Sequence, residues 1–152
     1  MGTSVLLLKA TQGCNWDIDI VGAGDLRDSF ELYARKLGVQ TSFLGRFSNN
    51  RMAEIYNQYP VYVLCSQYEG NPKTLLEAMA CECAVVGTDV SGIREILRHD
   101  KTGLLVEEDP DSLRVAIQRL LSDQNLRQKL GQHARRHIIV NNSLESALKN
   151  ES

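Results

Sequence analysis

Net charge is what this sequence has least of: 17 Lys and Arg stand against 19 Asp and Glu, a formal −2 over 152 residues. Without a strong positive field it offers no footprint for nucleic acid or an anionic membrane surface. Basic residues late in the chain (Arg114, Arg119, Arg127, Lys129, Arg135, Arg136) are interleaved with apolar ones, the pattern of solvated helix faces. No apolar run approaches the roughly 20 residues of a membrane span. Val5-Leu6-Leu7-Leu8 is too short, and lacks a cleavage site, for a secretory leader. A disulfide framework is also missing. Cys14, Cys65, Cys81 and Cys83 are set in the strand–helix alternation of a cytosolic α/β protein, where thiols stay reduced. Cys81 and Cys83 have no second Cys/His pair nearby. His133 and His137 share a helix face, but no Glu follows the first, so no metal set is expected.

What is present is apolar content of 43%, enough to bury a core, and it reads as one domain over residues 1–152 without repeat, linker or low-complexity tract. A helix is expected over 4–12, capped by Ser4 and closed by Gly13, then a strand over 17–21 ending in Gly22-Ala23-Gly24. Asp25 precedes a helix with Leu26, Phe30, Tyr33, Ala34 and Leu37 at helical period, ended by Gly38. A strand over 39–44, a helix capped by Ser48 or Asn49 and stopped by Pro60, and an apolar strand over 61–65 follow. That last run reads as buried on both faces. Beyond it come a helix over 74–82, a strand at 84–86, a short helix over 93–98 and a strand at 103–106. A helix opens at Pro110 with Leu113, Ile117, Leu120 and Leu121 inward, and two more run over 125–139 and 143–149. About five short strands alternating with helices predict an α/β fold with a Rossmann-like, doubly wound parallel sheet.

Such sheets bind ligands beyond the carboxyl ends of their strands. Two Gly-bearing turns belong there. Gly22 and Gly24 form an incomplete dinucleotide fingerprint, because Arg27 stands where a third glycine is wanted. The richer segment is Ser66-Gln67-Tyr68-Glu69-Gly70-Asn71-Pro72-Lys73-Thr74, a polar loop that opens a helix. Exposed N–H groups and the positive dipole end of that helix suit phosphate oxygens. Glu69 and Glu77 flank it, and carboxylates accept paired hydrogen bonds from the vicinal hydroxyls of sugars. On spacing alone, Glu69 as a loop cap and Glu77 as a surface residue are equally acceptable readings.

Ser66-x-x-Glu69-Gly70-x-Pro72 followed by Glu77-Ala78-Met79-Ala80 resembles the E-x7-E signature of the group 1 (family 4) retaining glycosyltransferases of GT-B type. Ser91-Gly92-Ile93-x-Glu95-Ile96, Lys101-Thr102-Gly103-Leu104-Leu105-Val106, Ile20-Val21-Gly22-x-Gly24 and Phe43-Leu44-Gly45 extend the resemblance in order along nearly the whole chain. The resemblance is to the C-terminal, donor-binding domain. It implies that Glu69 is catalytic, contacting donor-sugar hydroxyls near the reacting carbon, with Gly70, Asn71 and Pro72 lining the sugar. Lys73 and Thr74 would lie against the diphosphate and Glu77 would hold the ribose hydroxyls. Arg46 and Phe47 would lie under the nucleobase, and Gly22 and Gly24 would border the pocket. The implied substrate is a UDP-, GDP- or ADP-sugar, with no cofactor and no metal. The implied setting is cytoplasmic, and the resemblance leaves room for peripheral membrane association of the full enzyme.

Several residues depart from the family pattern. Glu82 and Ala84 replace a helix-closing Gly and a following Pro, Ser91 and Arg94 replace Gly and Pro, and Cys65 replaces Pro. A non-glycine at a left-handed cap costs on the order of 1 kcal/mol. The family's first strand, and the Arg/Lys loop after it that neutralises the diphosphate, have no counterpart before residue 4. That strand would be central, so the strands at 17–21 and 61–65 are expected to close up and pair directly rather than leave two rows of unpaired backbone groups.

The implied reaction is retaining glycosyl transfer, completed by an N-terminal acceptor domain that lies outside this chain. A nucleotide-sugar epimerase of the same architecture, a non-catalytic nucleotide-sugar-binding module and a phosphorylation-receiver domain are the rivals. The receiver is the weakest, since no phosphoacceptor Asp stands at a strand end.

Overall fold

A computed structural model describes residues 2–21, 27–45, 49–64 and 73–150. Along these run α1 (Gly2–Thr11), β1 (Ile18–Val21), α2 (Arg27–Leu37), β2 (Thr41–Gly45), α3 (Asn49–Gln58), β3 (Val61–Leu64), α4 (Lys73–Ala80), β4 (Ala84–Thr88), β5 (Leu104–Val106), α5 (Pro110–Ser122) and α6 (Gln124–Asn150). Local chemistry sets several boundaries. Gly38, at φ +72°, closes α2 by donating to the Arg35 carbonyl while Val39 donates to that of Ala34, the paired bonds of a Schellman cap. Asp109 caps α5, its carboxylate accepting from the Ser112 N–H at 2.8 Å, with Pro110 in the first turn where no N–H is needed.

The strands form two parallel sheets, β1-β2 and β3-β4-β5. The second is covered on both faces, and period-2 alternation along its strands shows how. Val85, Tyr62 and Leu64 join a core with Tyr56 of α3, Leu75, Ala78 and Met79 of α4, and Ala134 and Ile138 of α6. Ala84, Val86, Val61 and Val63 turn to the other face and pack with Ala10 of α1, Leu113, Ile117 and Leu120 of α5, and Leu130 of α6. This is the doubly wound, Rossmann-like arrangement.

Direct pairing of β1 with β3 is not found: among the described residues each ladder stays within its own sheet. Helix α1 supplies the reason, because it seats against both halves at once. Leu8 packs with Phe30 and Ala34 beside Ile20, whereas Leu6, Leu7 and Ala10 belong to the core of the three-stranded sheet. Arg114 of α5 holds the end of α1 in place, donating to the carbonyls of Ala10 at 2.7 Å and Lys9 at 3.3 Å. The Tyr59 hydroxyl, just before β3, donates to the Asp19 carboxylate of β1. A side-chain bridge and a shared helix thus hold the halves where a ladder was expected.

Four further expectations are corrected. Strand β3 is half-buried throughout rather than buried on both faces, because it lies at the edge of its sheet; β4, flanked on both sides, is buried along its length. Ser4 lies inside α1, which begins at Gly2, so it is no cap. Residues 91–96 make consecutive turns where a helix over 93–98 was expected, although Leu97 still donates to the Ile93 carbonyl at 2.8 Å and both side chains are fully buried. The two C-terminal helices are one, α6, since Asn141-Asn142-Ser143 carries no Gly or Pro and costs only a few tenths of a kcal/mol per residue in a helix.

Candidate functional site

Val21, Gly45 and Leu64 are the carboxyl ends of β1, β2 and β3. The residues that follow them, 22–26, 46–48 and 65–72, are outside the described residues, and with them Gly22, Gly24, Arg46, Phe47, Glu69, Gly70, Asn71 and Pro72. Lys73, Thr74 and Glu77 are together on α4. Because β3 and β4 are parallel and α4 connects them, α4 starts beside the carboxyl end of β3 and runs back along the sheet. Its first turn therefore turns N–H groups without helical partners, and the positive end of the helix dipole, toward the end of the sheet where ligands bind.

Leu75, Ala78 and Met79 are fully buried and lock α4 against the sheet. Glu77, one turn in, is half-buried on the flank of that face. Its charge is felt by its neighbours. The Tyr56 phenol is held well above its ordinary range, first by burial and then by the charges of Tyr62 and Glu77. The Cys81 thiol is raised by burial and by Glu77, and lowered by Arg135. Tyr56 and Tyr62 meet edge to face with centroids 5.4 Å apart, and the Cys83 thiol donates to the Tyr56 carbonyl at 3.2 Å. Burial pushes Cys83 up to about 12, as expected of an inert structural thiol.

The far end of α4 is closed by Glu82 at φ +63°. Glu82 donates to the Met79 carbonyl at 3.1 Å, and Cys83 donates to that of Ala78 at 3.0 Å. This is the Schellman cap that the Glu-for-Gly departure implied. Its backbone is pressed against Gly131 of α6, where an added Cβ would collide with the Glu82 carbonyl oxygen. Sequence reading passed over Gly131 as an ordinary helical position.

Beyond β4, Asp89 donates its N–H to the Val106 carbonyl at 2.7 Å, and its carboxylate pairs with Arg94 at 3.0 Å. The Ser91-Gly92-Ile93 motif is a turn here, with Gly92 at φ +94° and Ile93 driven into the core. Gly87 and Gly103 let that turn settle on the sheet: a Cβ on Gly87 would come within 2.8 Å of Ile93, and one on Gly103 within 2.8 Å of the Val85 carbonyl. The Gly103 of the Thr-Gly-Leu-Leu-Val stretch is therefore a packing residue.

An open cleft of about 720 Å³, lined by Asp17, Asp19, Glu31, Arg35 and Thr41 among others, is at the amino ends of β1 and β2. It is at the opposite end of these strands from Val21 and Gly45 and contains none of the candidate residues. Among the described residues no group of His, Cys, Asp and Glu is placed to hold a metal ion, and no helix is long and apolar enough to cross a membrane.

Residues 3–137 match the family of glycosyl transferases group 1. This chain belongs to that family. An uncharacterised glycosyltransferase of Methanocaldococcus jannaschii is 33% identical over 144 residues, which cover 93% of this chain and 37% of that protein. The chain thus spans little more than a third of such curated relatives. The C-terminal domain of a group 1 glycosyl transferase, LpcC, from Francisella tularensis superposes with a TM-score of 0.76 at 25% identity, over 91% of this chain and 79% of that one. The Anabaena protein HepE, solved in complex with UDP and glucose, superposes with a TM-score of 0.79 at 18% identity, over 95% of this chain and 44% of its own. The fold is that of one half of a GT-B glycosyltransferase.

Proposed function

We propose that this domain binds a nucleoside-diphosphate sugar and, together with an N-terminal acceptor domain, transfers the glycosyl group with retention of anomeric configuration. The observation that carries the reading is the placement of α4, whose amino end is set at the carboxyl end of β3 with Glu77 one turn inside. A positive helix end facing the departing diphosphate stabilises charge that grows as the glycosidic bond breaks. Lys73 and Thr74 belong against that diphosphate, Glu77 on the ribose hydroxyls, and Arg46 and Phe47 under the base. In this reading Glu69 contacts the sugar, Gly70, Asn71 and Pro72 line it, and Gly22 and Gly24 border the pocket. No resident cofactor takes part. The substrate is a UDP-, GDP- or ADP-sugar, and the HepE complex with UDP and glucose supports that class.

Turnover by the complete protein, assayed with UDP-, GDP- and ADP-sugars, tests the reading. Glu69→Ala is expected to depress turnover far more than nucleotide affinity, because sugar contacts tighten as the bond breaks. Equal losses in both would remove Glu69 from the sugar.

A further inference from the structure

Away from the candidate site, one side chain is held in an arrangement that only one of its two charge states allows. Among the described residues β5 has β4 as its one neighbouring strand, and its outer edge is covered by the turn that precedes it. Two bonds fasten that turn. The Asp100 N–H donates to the Gly103 carbonyl at 2.8 Å, and the Leu105 N–H donates to Nδ1 of His99 at 3.0 Å. A ring nitrogen that accepts carries no proton, so neutral His99 keeps its proton on Nε2. Nε2 lies 3.4 Å from the Asp100 carboxylate, whose other oxygen accepts from Arg119 of α5 at 2.9 Å. The charged residues about the ring are Arg98, Asp100 and Lys101 of its own turn and Arg119 of α5. Strand β5 brings Leu104, Leu105 and Val106, with Glu107 after its end. The imidazole is about half exposed, so protons from solvent reach it.

Protonation reverses one of these contacts. Both nitrogens of an imidazolium donate, so a proton on Nδ1 would point at the Leu105 N–H. That contact is repulsive, whereas the Asp100 carboxylate gains a cationic donor. We infer that His99 is a pH-operated latch on the edge of β5: neutral, it holds the Leu105 N–H, and protonated, it turns to Asp100 and releases it. The latch has a route to the end of the sheet where ligands bind. Val106, the next residue, accepts the Asp89 N–H at 2.7 Å and so ties β5 to the turn that follows β4.

NMR of the complete protein, labelled with nitrogen-15 at histidine and leucine, tests the latch. Long-range proton–nitrogen spectra at pH 8 should place the His99 proton on Nε2. Exchange protection of the Leu105 amide, corrected for the intrinsic effect of pH, should fall about tenfold from pH 8 to pH 5, the factor for losing one hydrogen bond of ordinary strength. His99→Gln keeps an acceptor carbonyl and does not titrate in this range, so its Leu105 amide should be equally protected at both pH values. A proton on Nδ1 at pH 8, unchanged protection in wild type, or the same fall in His99→Gln would overturn the inference. A fall shared by leucine amides throughout the chain would report general loosening and overturn it as well.

Discussion

Glu82 carries a conformational cost that a single substitution should relieve. It holds φ +63°, a region in which a Cβ crowds the following carbonyl, and its side chain makes an exposed contact with Arg135 at 3.7 Å. Glu82→Gly removes the crowding at the cost of a more flexible unfolded chain. A net gain of about 0.5–1 kcal/mol is expected in urea unfolding. Gly131→Ala should act in the opposite direction by about 1–3 kcal/mol, the range for overpacking, since the new methyl meets the Glu82 backbone and not a movable side chain. A neutral Gly131→Ala would mean that α6 does not press on this cap. The Glu82 cost was legible in the sequence, because a helix stop without Gly or Asn is a local signal. The Gly131 contact was not, because it joins residues far apart in the chain.

At the scale of elements, periodicity and caps located most helices and strands, and misjudged those whose limits are set by packing. Residues 93–98 look helical in sequence but are too few to outweigh the pull of Ile93 and Leu97 into the core. The relation of β1 to β3 was beyond sequence reading, since it depends on α1 seating against both sheets. The Tyr59–Asp19 hydrogen bond is the polar part of that junction, and it predicts a pH dependence. The bond raises the Tyr59 phenol to about 12 from an ordinary 10.0. The folded state therefore keeps a proton that the unfolded state releases first. The resulting stability is fully present below pH 10 and is lost as pH rises toward 12. Urea midpoints measured from pH 8 to 12 should fall more steeply for wild type than for Tyr59→Phe; parallel curves would show that the bond does not form in solution.

For the whole molecule, the candidate site was legible chiefly by resemblance. Spacing alone left Glu69 and Glu77 open to structural readings, and the structure speaks directly only to α4. There it gives Glu77 as half-buried, on the flank of the apolar face formed by Leu75, Ala78 and Met79, which fits either reading. Since the chain spans only about a third of its curated relatives, residues 1–152 alone are expected to transfer no sugar from a nucleotide-sugar donor to any acceptor. Product formed by this purified chain would overturn the two-domain account. The central claim is that α4 presents Glu77 to a nucleotide, and calorimetric titration of the complete protein with UDP, GDP and ADP tests it most directly. At least one should bind, and Glu77→Ala should weaken that binding by roughly 1.5–3 kcal/mol, the range for hydrogen bonds to a charged acceptor. Binding that Glu77→Ala leaves unchanged, or no binding of any of the three, would contradict the account.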